Sequence, residues 1–120
     1  MKYGFDSWAQ VAHLHDGTKD FMLCNTLVYR SNAGSIYTVD EGFVTDLATI
    51  PAFLWPWYPP HDLYLSAAVL HDKLCKADWI SRKDGDLLFR EAMSYSNVGV
   101  FDRTIIYRAV RLYARWHNIL

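Results

Sequence analysis

Pro51-Ala52-Phe53-Leu54-Trp55-Pro56-Trp57-Tyr58-Pro59-Pro60 holds all four prolines of a 120-residue chain, and its reading decides the fold. Proline lacks a backbone N–H and disfavours helix in the residue before it, so no regular helix or sheet ladder runs through this stretch. Two Trp, a Tyr and a Phe among the prolines suit an ordered crossing segment, packed mainly against a core, rather than a flexible linker. The pattern changes across it. Upstream, β-branched and aromatic runs are broken by Asp, Asn and Gly, the signature of strands. Downstream, apolar residues recur at helical spacing. The expected fold is α+β in a single domain over 1–120: strand-rich over about 1–50, proline-aromatic over 51–60 and helical over 61–120.

Working outward, residues 9–15 and 20–24 flank Asp16-Gly17-Thr18-Lys19, a hairpin turn signal. Thr26-Leu27-Val28-Tyr29-Arg30 and Ser35-Ile36-Tyr37-Thr38-Val39, joined by Ser31-Asn32-Ala33-Gly34, predict a second antiparallel hairpin. Three helices are expected after the prolines. The first covers about 63–77. The second covers about 82–95, opened by Ser81-Arg82-Lys83-Asp84 as a capping box with Asp in place of Glu and ended by Asn97-Val98-Gly99. The third is capped by Asp102 and runs to about 117. On it Ile106, Val110, Tyr113 and Trp116 form an expected core stripe, and Arg108, Arg111 and Arg115 a second stripe.

Composition narrows the class. Hydrophobic residues make up 52%, with five Trp, eight Tyr and six Phe, enough to build a core and too much for disorder. The formal charge of -1 has no basic excess of the kind a general nucleic-acid binder carries. Cys24 and Cys75 are too few for a disulfide scaffold and lack C-x-x-C spacing, so they are expected as free thiols in a reducing compartment. No apolar run approaches the ~20 residues of a membrane span, and Met1-Lys2-Tyr3-Gly4-Phe5-Asp6 has no apolar signal region. The expected location is the cytoplasm where the chain is made, with exit by lysis or inside a particle.

The chemistry concentrates on four polar residues. Ala67, Leu70, His71 and Leu74 follow the i, i+3, i+4, i+7 pattern of a core-facing stripe, so His71 stands where a Leu is expected. Asp72 lies about 100° further round the helix. Asp86, Phe89 and Met93 share a stripe on the next helix. A short connection favours an antiparallel pair, which brings His71 and Asp86 within reach of each other. A carboxylate on one ring nitrogen orients the imidazole and raises its basicity, leaving the other nitrogen for a substrate, a water or a metal. The candidate catalytic pair is therefore His71 and Asp86. Asp46, in Gly42-Phe43-Val44-Thr45-Asp46-Leu47-Ala48-Thr49-Ile50-Pro51, adds a carboxylate from a loop. Asp46, His71 and Asp72 would make a mixed nitrogen/oxygen set for a divalent ion of unspecified identity. Plainer readings stand beside these. An inward histidine alone is more often a satisfied core residue, an Asp in a first helical turn complements the dipole, and Asp46 or Thr45 can bond turn amides. His61 and Asp62 are expected as surface and capping residues at the rim, and His13 and His15 as solvent-exposed.

The residues Gly42-Phe43, Thr45 through Pro51, Leu54-Trp55-Pro56 and Ala67-Ala68-Val69-Leu70-His71-Asp72, with Leu74, resemble a family of small phage and prophage proteins. That family is catalogued as domain of unknown function thirteen fifty-three. The likeness continues through Ser81-Arg82-Lys83, Asp86, Phe89 and Ala92-Met93 into Tyr107 and Ala109-Val110-Arg111, covering about residues 25–113. Cys75 stands where the family often has Tyr, and Gly85 where Ala is usual. The resemblance implies a bacteriophage context and leaves the reaction open. His71-Asp72 followed by Asp86 on a second helix is also similar to the phospholipase A2 helix pair. There His activates water, the next Asp binds calcium and the distant Asp orients the His; the glycine-rich calcium loop and the cysteines of that family are absent here. Ala67 through Asp72 is similar to the central motif of HD-type metal phosphohydrolases, which are wholly helical and use a further upstream helical His.

Two functions follow as expectations. One is a phage-encoded, metal-assisted hydrolase acting on an envelope component or a phosphoester. The other is a non-enzymatic virion component, a tail or head accessory protein whose His/Asp set is a structural network and whose partners are other virion proteins. An inhibitor of a host defence protein is a third, weaker option.

Overall fold

The computed structural model describes residues 3–18, 20–47, 49–58 and 62–117. Lys19, Ala48, Pro59, Pro60 and His61, which carry expectations above, lie outside them. In chain order the described elements are β1 (Gly4–Phe5), β2 (Val11–His13), β3 (Phe21–Leu23), β4 (Leu27–Arg30), β5 (Ile36–Val39), β6 (Val44–Thr45), α1 (Leu65–Lys76), α2 (Arg82–Ser94) and α3 (Val100–Trp116). Single 3-10 turns at Ala52–Leu54 and Asp62–Tyr64 lie between β6 and α1. The protein is α+β.

The strands form two three-stranded antiparallel sheets, in the orders β1-β4-β5 and β2-β3-β6. Both expected hairpins are present, with Val11 opposite Leu23 and Leu27 opposite Val39. β4 alternates as its sequence does. Leu27 and Tyr29 are buried, and Val28 and Arg30 are half-buried. β1 and β6 are two residues each, too short to show the period of two that reveals a strand. β1 closes on the helices through Gly4, at φ +91°; a Cβ there would meet the Tyr95 ring at 3.1 Å. That backbone conformation and that approach both require glycine.

α1 is buried on most sides, including every residue from Ser66 to His71. α2 contributes Phe89, Ala92 and Met93, and α3 contributes Ile106 and Val110, to a cluster that also takes Leu23, Tyr29, Val39 and Ile50 from the first half. The Tyr29 hydroxyl donates to Glu91 Oε1 at 2.5 Å, tying β4 to α2. Ser81 caps α2 as expected, its Oγ accepting from the Asp84 amide at 3.0 Å.

Four expectations are corrected. α3 starts at Val100 behind Gly99, so Asp102 sits inside the first turn and accepts from the Tyr58 hydroxyl at 2.9 Å. The buried stripe of α3 is Ile106, Val110 and Ala114, because steps of four stay on the core side whereas Tyr113 and Trp116 rotate off it and are exposed. The arginine stripe splits likewise: Arg108 and Arg115 are exposed and Arg111 turns inward. Finally, the proline-aromatic segment is only partly core. Leu54 and Tyr58 pack on the cluster, but Phe53 and Trp57 are 69% and 71% exposed. Within the 3-10 turn at Ala52–Leu54, Phe53 is exposed while the adjacent Leu54 packs on the core. Trp55 is anchored by its Nε1, which donates to the Ile50 carbonyl at 2.7 Å.

Candidate functional site

α1 and α2 are joined by the short link 77–81 and pack closely. A Cβ built on Gly85 would stand 3.6 Å from the Leu74 Cβ. The adjacent cross-helix contact is His71 with Asp86, as an antiparallel pair places them. His71 Nε2 and Asp86 Oδ1 are 2.5 Å apart, at sites 2% and 0% exposed. Phe89 packs against the imidazole, with ring centroids 4.8 Å apart. A buried carboxylate is costly unless fully partnered, and this one is. Arg82 Nε donates to Oδ1 at 2.9 Å, and Arg111 Nη1, reaching across from α3, donates to Oδ2 at 2.7 Å.

These contacts set the charges. Burial pushes the Asp86 carboxyl up, but the hydrogen bonds from His71, Arg111 and Arg82 outweigh it and hold Asp86 below its ordinary range. Burial lowers the His71 pKa despite the neighbouring carboxylate. A protonated His71 would place a third cation around one acid that already serves two guanidiniums, so we assign a neutral ring. The network then puts its proton on Nε2, donated to Asp86, and leaves the lone pair on Nδ1.

Nδ1 faces the Thr49 hydroxyl at 3.2 Å. Thr49 Oγ1 also lies 3.2 Å from the Ala68 carbonyl, so its single proton goes either to that carbonyl or to Nδ1. Cys75, one turn beyond His71, holds its Sγ 3.4 Å from Nε2 and 3.7 Å from Nδ1. Lying similarly far from both nitrogens, the sulfur is not on the Nδ1 lone-pair axis. Burial pushes its thiol up to about 11, so the sulfur is protonated at neutral pH and a poor nucleophile.

A cleft of about 170 Å³ opens here, lined by Asp46, Thr49, His71, Asp72, Cys75 and Arg82, with Pro51 and Tyr113 at its edge. Sites that enclose drug-sized ligands measure roughly 300–1,000 Å³; this one has room for a reacting group and little more. A larger cleft of about 440 Å³ beside the stacked Tyr37 and Trp79 rings contains no histidine. All four residues singled out from the sequence thus belong to one neighbourhood. Asp86 lies behind the lining, fully buried and in contact with His71; His71 and Asp72 come from α1, and Asp46 is on an exposed loop. The turn bond near Asp46 is made by Thr45, whose Oγ1 accepts from the Leu47 amide at 3.1 Å. Asp72 Oδ2 is buried without a hydrogen bond and is held by Lys76 Nζ at 3.3 Å, an ion pair too poorly aligned to count as one. His13 and His15 are exposed, as expected.

Donor atoms of His71, Cys75 and Asp86 lie within 4.8 Å of one another, close enough to share an ion. Chemically the set fits a metal poorly. Nε2 and Asp86 already face each other, and an ion would have to displace two guanidiniums and a proton, since metal ligands bind deprotonated. Thr49, Cys75, Arg82 and Arg111 are site residues that the sequence reading misses. Thr49 sits in a quoted motif with no helical or strand period; Arg82 is open to an i,i+4 reading against Asp86 on its own helix, whereas Arg111 looks like a solvated charge until α3 is packed on α2.

The fold and the site together define an α+β protein with a buried, arginine-clamped histidine–aspartate pair whose histidine lines a small polar cleft. Residues 21–110 match the family model "Protein of unknown function (DUF1353)", and the chain belongs to that family. No curated protein and no solved structure matches it. No helix among the described residues is long and apolar enough to cross a membrane.

Proposed function

We propose that the protein is a small hydrolase of bacteriophage type in which His71 is the general base and Asp86 its orienting partner. The observation that carries this reading is the 2.5 Å contact from His71 Nε2 to Asp86 Oδ1, with the other ring nitrogen, Nδ1, on the side of the polar cleft that His71 lines. A base whose far nitrogen is fixed by a carboxylate is ready to take a proton at the near one. Asp46 and Asp72 would position the substrate or a water. In the metal-assisted form of the same reading they would hold a divalent ion together with Nδ1. The substrate would be an envelope component or a phosphoester, of which only the scissile group enters the cleft.

The test is turnover of ester, phosphoester and peptidoglycan substrates by the full chain, with and without chelator. Wild type should turn over at least one of them, and His71→Ala, checked for retained fold, should lower that rate by on the order of 100-fold or more. Equal rates in the two proteins would overturn the reading. Loss on chelation, restored by one divalent ion, would identify the metal-assisted form.

A second reading has its own support. His71 and Asp86 are almost sealed, as in a structural network, while Phe53 and Trp57 are largely exposed. These features suit a virion component that docks a neighbouring phage protein through the aromatic segment. Stoichiometric copies in purified particles, together with an inert His71, would favour it.

A further inference from the structure

We propose that the nucleophile of this site is the Thr49 hydroxyl and that the substrate class is an acyl ester; the inference rests on the hydrolase reading above. The carrying observation is a run of three groups in contact, in which the Thr49 hydroxyl is shared between His71 and the Ala68 carbonyl at 3.2 Å each. Thr49 Oγ1 lies 3.2 Å from His71 Nδ1, and His71 Nε2 lies 2.5 Å from Asp86 Oδ1. Hydroxyl, imidazole and carboxylate in that order form the arrangement that activates a hydroxyl nucleophile. It is recognised by geometry and roles rather than by sequence order. A resting hydroxyl–imidazole distance slightly longer than a tight hydrogen bond is usual before substrate binds.

Three further features fit. Thr49 and His71 line the same cleft, so the hydroxyl stands where a scissile group enters. The segment leading from β6 to Thr49 contains Leu47 at φ 57°, a left-handed conformation rare for leucine and of the kind concentrated at functional sites. Arg82 lines the same cleft while its Nε is held by Asp86 at 2.9 Å, and is the cation there that a developing oxyanion would meet. Cys75 is the competing nucleophile, and it fails on both counts given above: its sulfur is off the lone-pair axis and its thiol is protonated.

The chemistry balances without a co-reactant other than water. Thr49 Oγ1 forms a bond to the acyl carbon as its proton passes to Nδ1. The bond from that carbon to the leaving oxygen then breaks, and the alcohol departs with the proton from Nδ1. Water adds to the acyl-threonine and gives a proton to Nδ1. As the Thr49 Oγ1–acyl bond breaks, that proton returns to Oγ1 and the carboxylic acid is released. Asp86 stays ionised throughout and stabilises the transient imidazolium.

The experiment exposes the full chain to diisopropyl fluorophosphate, reads intact mass with peptide mapping, and follows p-nitrophenyl acetate hydrolysis in parallel. Wild type should gain one adduct on Thr49. Thr49→Val and His71→Asn should slow labelling by on the order of 100-fold or more. In Cys75→Ser the adduct should still map to Thr49 and not to position 75. Thr49→Ser, which keeps the hydroxyl with less hindrance, should label at least as fast; it keeps the test valid if the valine variant folds poorly. No adduct in wild type or in Thr49→Ser, or labelling undiminished in Thr49→Val, would overturn the inference. His71-dependent hydrolysis that persists in Thr49→Val would refute the threonine nucleophile and leave the hydrolase reading standing. Hydrolysis indifferent to both substitutions would remove both.

Discussion

Asp86 is the residue on which the site turns. It is fully buried, yet receives a histidine and two arginines from three different helical positions. Such an arrangement is weak evidence for stability as a whole, because taking charges out of water costs about as much as their attraction returns. Removing one member is another matter. Asp86→Ala would leave two inward guanidiniums and an imidazole without their acceptor. It should therefore destabilise the fold by about 3 kcal/mol, the low end of the ~3–5 kcal/mol for a broken buried pair, since both arginines keep some access to solvent. Urea denaturation measures it. A loss under about 1 kcal/mol would mean that water replaces the carboxylate easily and that the network is looser than its distances indicate.

At the scale of elements, the α1–α2 pair is the frame. The Ser81 cap fixes where α2 begins, and hence which of its residues face α1. Gly85 lies in the first turns of α2 against Leu74, where glycine brings backbone freedom but no necessary shape. Its added Cβ would meet Leu74 at 3.6 Å, an ordinary contact. Gly85→Ala should accordingly stabilise the protein by about 0.5–1 kcal/mol through helix propensity, with the His71–Asp86 contact untouched. Thermal unfolding of the variant checks this. A lower midpoint would show that the two helices are packed more tightly at Leu74 than the 3.6 Å separation allows.

For the molecule as a whole, the charge assignments become a dependence on pH. The folded His71 pKa lies below the ordinary imidazole value of about 6.5, so in that range the unfolded chain binds a proton that the folded one refuses. Stability from this group is complete above about 6.5 and is lost as pH falls. Asp86, also lowered when folded, retains its contribution until pH drops below the ordinary carboxyl range near 3.9 and then loses it. Both act in the same direction. Melting temperature should be level between about pH 7 and 8, decline below about 6.5 and decline again below about 4. His71→Asn should abolish the first decline and keep the second. A profile for that variant matching wild type between pH 5 and 7 would assign the first decline to another group.

Much of this protein is local and therefore legible in the chain. The four prolines mark the change from period two to period 3.6. The two hairpins declare their own turns, Ser81 caps its helix, and the inward settings of His71 and Asp86 follow from i, i+3 and i+4 spacing. Those facts depend on neighbours within one turn or one hairpin, where backbone geometry alone dictates direction. Packing between elements distant in sequence decided the rest. Arg111 is a solvated charge on any helical wheel until α3 lies on α2, and Trp57 reads as core material although the folded segment leaves it 71% exposed. Thr49 has no period to betray it, and it meets His71 because its loop is laid along α1. A helix or strand forms from contacts written beside one another, whereas a site joins side chains that only the folded core holds together.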